Sequence, residues 1–363
     1  MKPAKQTKKK PARKPSASPV RKSAAVLGER KVNLALQGGG SHGAYTWGVL
    51  NRLLEEKRLI IEGISGASAG AMNAIALAQG YTANGRQGAL KSLNALWDQV
   101  SDMHVFSPVQ RTPVDALMGN WSLNNSPSYT AFDLLSRVAS PYQLNPLGIN
   151  PLRALLHSLI DFKAVRACKS IQLFITATAV RTGRARVFRR SELTADIVAA
   201  SACLPTLYQA VEIGGEPYWD GGYMGNPVLW PLIYHCDSRD VIIVQINPIT
   251  RNEPLRTAAE IRNRIDEITF NSSLMSEMRA IAFVSRLLDE GAVDPKRYKK
   301  MLMHRIHSEA KLDKLDASSK MNAEWDFLTE LRDIGYNAAN RWLKAHWGTL
   351  NKKSSLDIKA QYL

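Results

Sequence analysis

Lys31-Val32-Asn33-Leu34-Ala35-Leu36-Gln37-Gly38-Gly39-Gly40-Ser41-His42-Gly43 is a short apolar run that breaks on three consecutive glycines. An apolar run of that length, bounded by turn residues, reads as a buried strand. Beyond the glycines, Val49, Leu50, Leu53 and Leu54 recur at helical spacing, with Glu55, Glu56 and Lys57 on the wet side. A second apolar run, Leu59 to Ile64, ends in Gly66-Ala67-Ser68-Ala69-Gly70, and an alanine-rich helical stretch follows from Ala69 to Gln79. Strand, glycine turn, helix, strand, sharp turn, helix is the alternation of an α/β protein with a mostly parallel sheet and crossover helices.

Three places in this frame carry chemistry. Gly66-Ala67-Ser68-Ala69-Gly70 fits G-x-S-x-G, in which a serine on a tight strand-to-helix turn presents its hydroxyl outward. The helix behind it directs free amides and a positive dipole end toward developing negative charge. A structural glycine turn is the plainer reading of that motif alone. The glycines 38–43 are compatible with a phosphate cradle or an oxyanion hole. Gly38, Gly40 and Gly43 satisfy G-x-G-x-x-G, and Glu62 stands about where a ribose-binding acid would. The serine turn occupies the end of the second strand, however, and no Gly-Lys-Ser/Thr follows for a P-loop. The oxyanion reading is therefore preferred. The third place is Asp220-Gly221-Gly222 after Tyr218-Trp219, an ordinary turn unless it serves Ser68. Among seven histidines none is a convincing base; His304 and His307, flanking a late predicted strand, are the best candidates for a Ser-His-Asp alternative.

The glycine loop, the serine turn and Asp-Gly-Gly, together with Ala199-Ala200-Ser201-Ala202-Cys203-Leu204-Pro205, resemble the patatin-like phospholipase family from about Val32 to Asn226. The resemblance implies a three-layer α/β/α sandwich and a metal-independent, cofactor-free lipid acyl hydrolase with a Ser-Asp dyad. Ser68 would be the nucleophile, Asp220 its base, and the backbone of Gly38, Gly39 and Gly40 the oxyanion hole. The substrate class implied is a lipid acyl ester, of phospholipase A or lysophospholipase type. One departure stands out: the family's loop usually carries Arg or Lys where this chain has His42, which weakens the expected pull on a phosphate headgroup. An acyltransferase on the same fold and a non-catalytic membrane- or granule-binding protein are the alternatives.

At 363 residues the chain suffices for one large core. Of its net charge of +16, residues 1–30 hold ten Lys or Arg against one acid, among four prolines. This segment reads as a disordered basic tail able to meet an anionic membrane or granule surface. The body is far less basic and shows no nucleic-acid module, so nucleic acid is not expected as a partner. No secretory signal or spanning segment is legible, and Cys168, Cys203 and Cys236 read as free thiols. The expected location is cytoplasmic, with peripheral membrane attachment as a variant. Residues 31–347 form the expected catalytic domain, with an insertion or lid over about 103–145 and two helices in the stretch from about 256. A final helix runs Glu324–Trp347, and 348–363 is a C-terminal tail.

Overall fold

The computed structural model describes residues 28–105, 107–251 and 254–363; the basic tail over 1–27 lies outside the described residues. Eight strands form one sheet: β1 Arg30–Leu36, β2 Leu59–Gly66, β3 Gln172–Ala179, β4 Arg184–Arg189, β5 Val211–Ile213, β6 Glu216–Asp220, β7 Asp240–Val244 and β8 Leu302–Ile306. The order is β5-β6-β3-β2-β1-β7-β8, with β4 bonded to β3. The run β3-β2-β1-β7-β8 is parallel throughout. With helices around it, this is the α/β sandwich that the alternation predicts. The central strands β1 and β7 are almost wholly buried, as expected where helices cover both faces.

The edge of β3 positions the site. Ser65 and Gly66 of β2 pair with Phe174 and Ile175, whereas Ala177 and Ala179 pair with Asp220 and Tyr218 of β6. Because β4 holds the other edge of β3 over Phe174 to Ala179, β6 takes over the same edge that β2 leaves. The antiparallel β6 therefore ends just past the terminus of β2, and its last residue is Asp220. Sequence reading treats Asp220 as part of a turn; in fact it closes a strand whose ladder fixes its height beside the serine turn.

Helix α1, Gly43–Glu55, has nearly every residue of its first three turns buried, and it packs on the Trp325–His346 helix. Trp47 stacks on Trp97 of helix α2, Ala69–Val105, which is interrupted at Asn84 and Gly85. Two expectations are corrected. The stretch from 256 is one helix, Ala258–Asp289, not two. Its Leu274, Met278 and Ile281 are buried, whereas Ile261, Ile265 and Ile268 at the same helical spacing are about half exposed. Residues 348–363 are not a loose tail: Leu350, Leu356 and Tyr362 are buried, and the Tyr362 hydroxyl donates to Gln245 Oε1 at 2.6 Å. The 103–145 region contains short helices, Pro113–Leu117, Pro127–Val138 and Pro141–Leu144. Two of them start with a side-chain cap followed by proline, which suits a first helical position.

Candidate active site

The parallel strands deliver the candidate residues beyond their carboxyl ends, where open α/β sheets place ligands. β1 runs into Gly38–Gly40 and β2 into Ser68. The backbone of Ser68 has φ of 53°, a left-handed conformation that side-chain-bearing residues rarely adopt and that costs of order 1–3 kcal/mol. The surroundings hold it there. Its N–H donates to both the carbonyl and the Oγ of Ser201, at 3.1 and 3.0 Å, and the Ser201 hydroxyl donates to Thr176 O at 2.6 Å. Ser201 ends the Ala195–Ser201 helix, so this clamp explains why an Ala-Ser-Ala-Cys-Leu-Pro stretch far along the chain belongs to the site. Sequence reading quotes Ser201 only as part of a resemblance; its role emerges from tertiary contact.

The glycine loop presses against the serine. A Cβ at Gly38 would lie 2.6 Å from Ser68 Cβ and 2.7 Å from Ala67 O, so only glycine fits there. Gly40 has φ of 58°, and a Cβ on it would strike the Lys320 carbonyl. Gly38 departs from the expected arrangement in one respect. Its N–H donates to Asn226 Oδ1 at 2.6 Å, while its carbonyl accepts from Asn247 Nδ2 at 2.9 Å. The Gly38 amide is therefore already occupied, whereas those of Gly39 and Gly40 donate to no described residue.

Asp220 is 1 % exposed. Burial raises its carboxyl from the ordinary aspartate value to about 7; the Gly222 N–H, which donates to Oδ1 at 2.7 Å, and then the Ser68 hydroxyl pull it back in part. Ser68 itself is only partly buried. Cys203 behaves as core filler: burial pushes its thiol up to about 12, and its Sγ donates to Gln209 O at 3.1 Å. Among the described residues, no three His, Cys, Asp or Glu side chains gather into a metal-holding group.

The profile of the patatin-like phospholipase family matches residues 34–233. The chain belongs to that family. Membership places it among lipid hydrolases, and the matched span contains Ser68, Asp220 and the glycine loop. Among solved structures, VipD from Legionella pneumophila is similar at 17% identity and a TM-score of 0.38, covering 88% of this chain and 67% of its own. The ExoU–SpcU complex of Pseudomonas aeruginosa is similar at 16% identity and a TM-score of 0.35; 88% of this chain covers 52% of that one. This chain thus spans about two thirds of the first and about half of the second. No curated protein sequence matches it.

In this patatin-like chain the histidine alternatives lie elsewhere. His304, fully buried in β8, places Nε2 2.9 Å from Asp240 Oδ1 and Nδ1 2.9 Å from Ser355 Oγ. Asp240 is the first residue of β7, so this cluster sits toward the amino end of the strands, away from Ser68. His307 bonds Gln245 O and Asp313 Oδ1. His42, inside the glycine loop, bonds Ser319 Oγ at 2.8 Å; burial, then the positive charges of Lys320 and Arg251, keep its pKa well below the usual histidine range. Among the described residues no helix is long and apolar enough to cross a membrane.

Proposed function

We propose that the protein hydrolyses carboxylic esters of phospholipids or lysophospholipids through a Ser68–Asp220 dyad. The observation that carries this reading is a fully buried carboxylate, raised to about 7, held just past the strand edge that β2 vacates, with the Ser68 hydroxyl among the groups that pull its pKa back. A carboxylate of ordinary acidity is a poor base at neutral pH; one raised toward 7 is near the optimum for accepting a proton while still ionised in part.

The Ser68 Oγ attacks the ester carbonyl carbon as its proton passes to Asp220. The carbonyl π electrons move to oxygen, giving a tetrahedral oxyanion to which the Gly39 and Gly40 N–H groups donate; Gly38 shapes the turn rather than donating. Each such donor is typically worth about 10²–10³ in rate. Collapse expels the alcohol, which takes the proton from Asp220, and leaves an acyl-Ser68 ester. Water then adds with its proton going to Asp220, and the fatty acid leaves as that proton returns to Ser68. The left-handed backbone of Ser68 is the conformation that a tight nucleophile turn requires.

The test combines a fluorophosphonate probe with fatty-acid release from diacyl and monoacyl phospholipids. Labelling confined to Ser68 and lost in Ser68→Ala, with parallel loss of release, supports the proposal. Undiminished release by Ser68→Ala overturns it, and release that requires an added alcohol reassigns the chain to acyl transfer.

A further inference from the structure

The loop that would receive the reaction's negative charge carries no charge of its own, because buried His42 is held neutral. A lysine from elsewhere in the chain covers that loop. Lys320 lies in a short turn, Ser318–Met321, after β8, and its backbone and Cβ pack on Gly40 closely enough that a Cβ there would collide. Its Nζ donates to Asn247 Oδ1 at 2.8 Å. The same oxygen would stand 3.9 Å from a Cβ on Gly39, and the Asn247 amide nitrogen holds the Gly38 carbonyl. The ammonium is therefore bound to the side chain that cradles the glycine loop.

What faces Lys320 is informative. Arg251 is committed to Glu267, which Arg264 also engages. Among the described residues Lys320 closes no ion pair with Glu267; its only described hydrogen-bond acceptor is the neutral amide oxygen of Asn247. Burial pulls its pKa down, while Glu267 and Asp266 push it back up. Asp266 is exposed on the Ala258–Asp289 helix and also acts on Tyr223, beside Asp220-Gly221-Gly222. Phe270 of that helix abuts Gly222 and lies 5.0 Å from the Tyr223 ring. Lys320 thus stands between the glycine loop and the helix that walls the Asp220 side. A cation immobilised there without a salt-bridge partner is suited to an anionic oxygen on the bound molecule, because a lysine presents a compact charge with three donors and one of these is spent on Asn247.

We propose that Lys320 is a specificity-determining residue that recognises the phosphate of the lipid substrate at the glycine loop. The inference deepens the proposed hydrolase reading but is tested by binding, which needs no turnover. In a Ser68→Ala background, titration calorimetry would compare a 1-acyl glycerol 3-phosphate with the monoacylglycerol of the same chain, and with inorganic phosphate. The expected result is at least tenfold tighter binding of the phosphate-bearing lipid than of the neutral one. Lys320→Met should erase that preference and leave the monoacylglycerol within about threefold, and Lys320→Arg should restore most of it. Equal losses on both lipids would mean that Lys320 only props the loop, and would overturn the proposal. So would an unchanged preference in Lys320→Met. Tight binding of inorganic phosphate alone, with no lipid preference, would make this a free-anion site and equally refute the lipid assignment. A protein that shows the expected preference yet releases no fatty acid with Ser68 restored would sink the hydrolase reading and leave this one standing.

Discussion

The two ends of the central sheet each hold a serine and an aspartate, and the difference between them separates the proposed reactive site from a structural cluster. At the carboxyl end, Ser68 sits strained and partly open by a glycine loop whose Gly39 and Gly40 amides donate to no described residue, with a buried carboxylate raised to about 7. At the amino end, Ser355, His304 and Asp240 form a hydrogen-bonded chain whose residue types match a hydrolase triad more closely than Ser68 and Asp220 do. Yet His304 is sealed, and Asp240 spends the same Oδ1 on the N–H of Asn351 as well. The Ser355 N–H also points to His304 Nδ1, at 3.2 Å. That network ties residues 351–356 to the sheet. Composition resembles catalysis there; strain, open donors and position beyond the strand ends point to it at the other end.

The sharpest way to break this contrast is to remove one serine at a time. Ser68→Ala and Asp220→Ala should each lower kcat for lipid ester hydrolysis by about 10³–10⁵-fold, whereas Ser355→Ala and His304→Ala should change it only a few-fold. Steady-state kinetics on the four variants decides; a dead Ser355→Ala beside an active Ser68→Ala would exchange the two ends. Gly38→Ala should come next, at about 10²-fold in kcat. The added methyl meets Ser68 Cβ and Ala67 O and must displace the loop that carries the oxyanion donors.

The proton on Asp220 should give activity and stability opposite dependences on pH. As a base it works deprotonated, so kcat/KM should rise with pH through a midpoint near 7. Stability should run the other way. A carboxyl whose folded pKa lies above its unfolded value of about 3.9 holds its proton more tightly in the native state, so stability present below pH 4 is lost as pH climbs to 7. Asp220→Asn removes that penalty and should raise denaturant-measured stability at pH 8 by about 2–4 kcal/mol while abolishing turnover. A variant less stable than its parent at pH 8 would show that the carboxylate is not an electrostatic burden there. The smallest effect is expected at the amino end: Ser355→Ala should cost about 1 kcal/mol in urea unfolding, one hydrogen bond's worth, with kcat unmoved.

Much of the proposed catalytic end is legible in the chain because its requirements are local. A strand ending in glycines and a G-x-S-x-G turn before an alanine-rich helix state their own geometry, and the parallel sheet follows from the alternation. Asp220 is legible only through family likeness, since an aspartate before two glycines reads as a turn. The long helix Ala258–Asp289 escapes as one element because its apolar face changes half-way. Ile261, Ile265 and Ile268 share helical spacing with Leu274, Met278 and Ile281, and periodicity cannot say which of them has something to pack against. The docked C-terminus escapes because its anchors, Leu350, Leu356 and Tyr362, are too sparse to form a pattern.

The sequence by itself determines the α/β alternation, the glycine loop and the serine turn, because each is written in neighbouring residues and short-range backbone preference. Tertiary structure alone decides which residues separated by more than a hundred positions meet. It brings Ser201 to the Ser68 amide, Asn226 to Gly38, Lys320 to the loop, and Asp220 to the strand edge where β2 stops. It also sets how acidic that aspartate is, since an ionisable group takes its pKa from the burial and donors that the finished fold places around it.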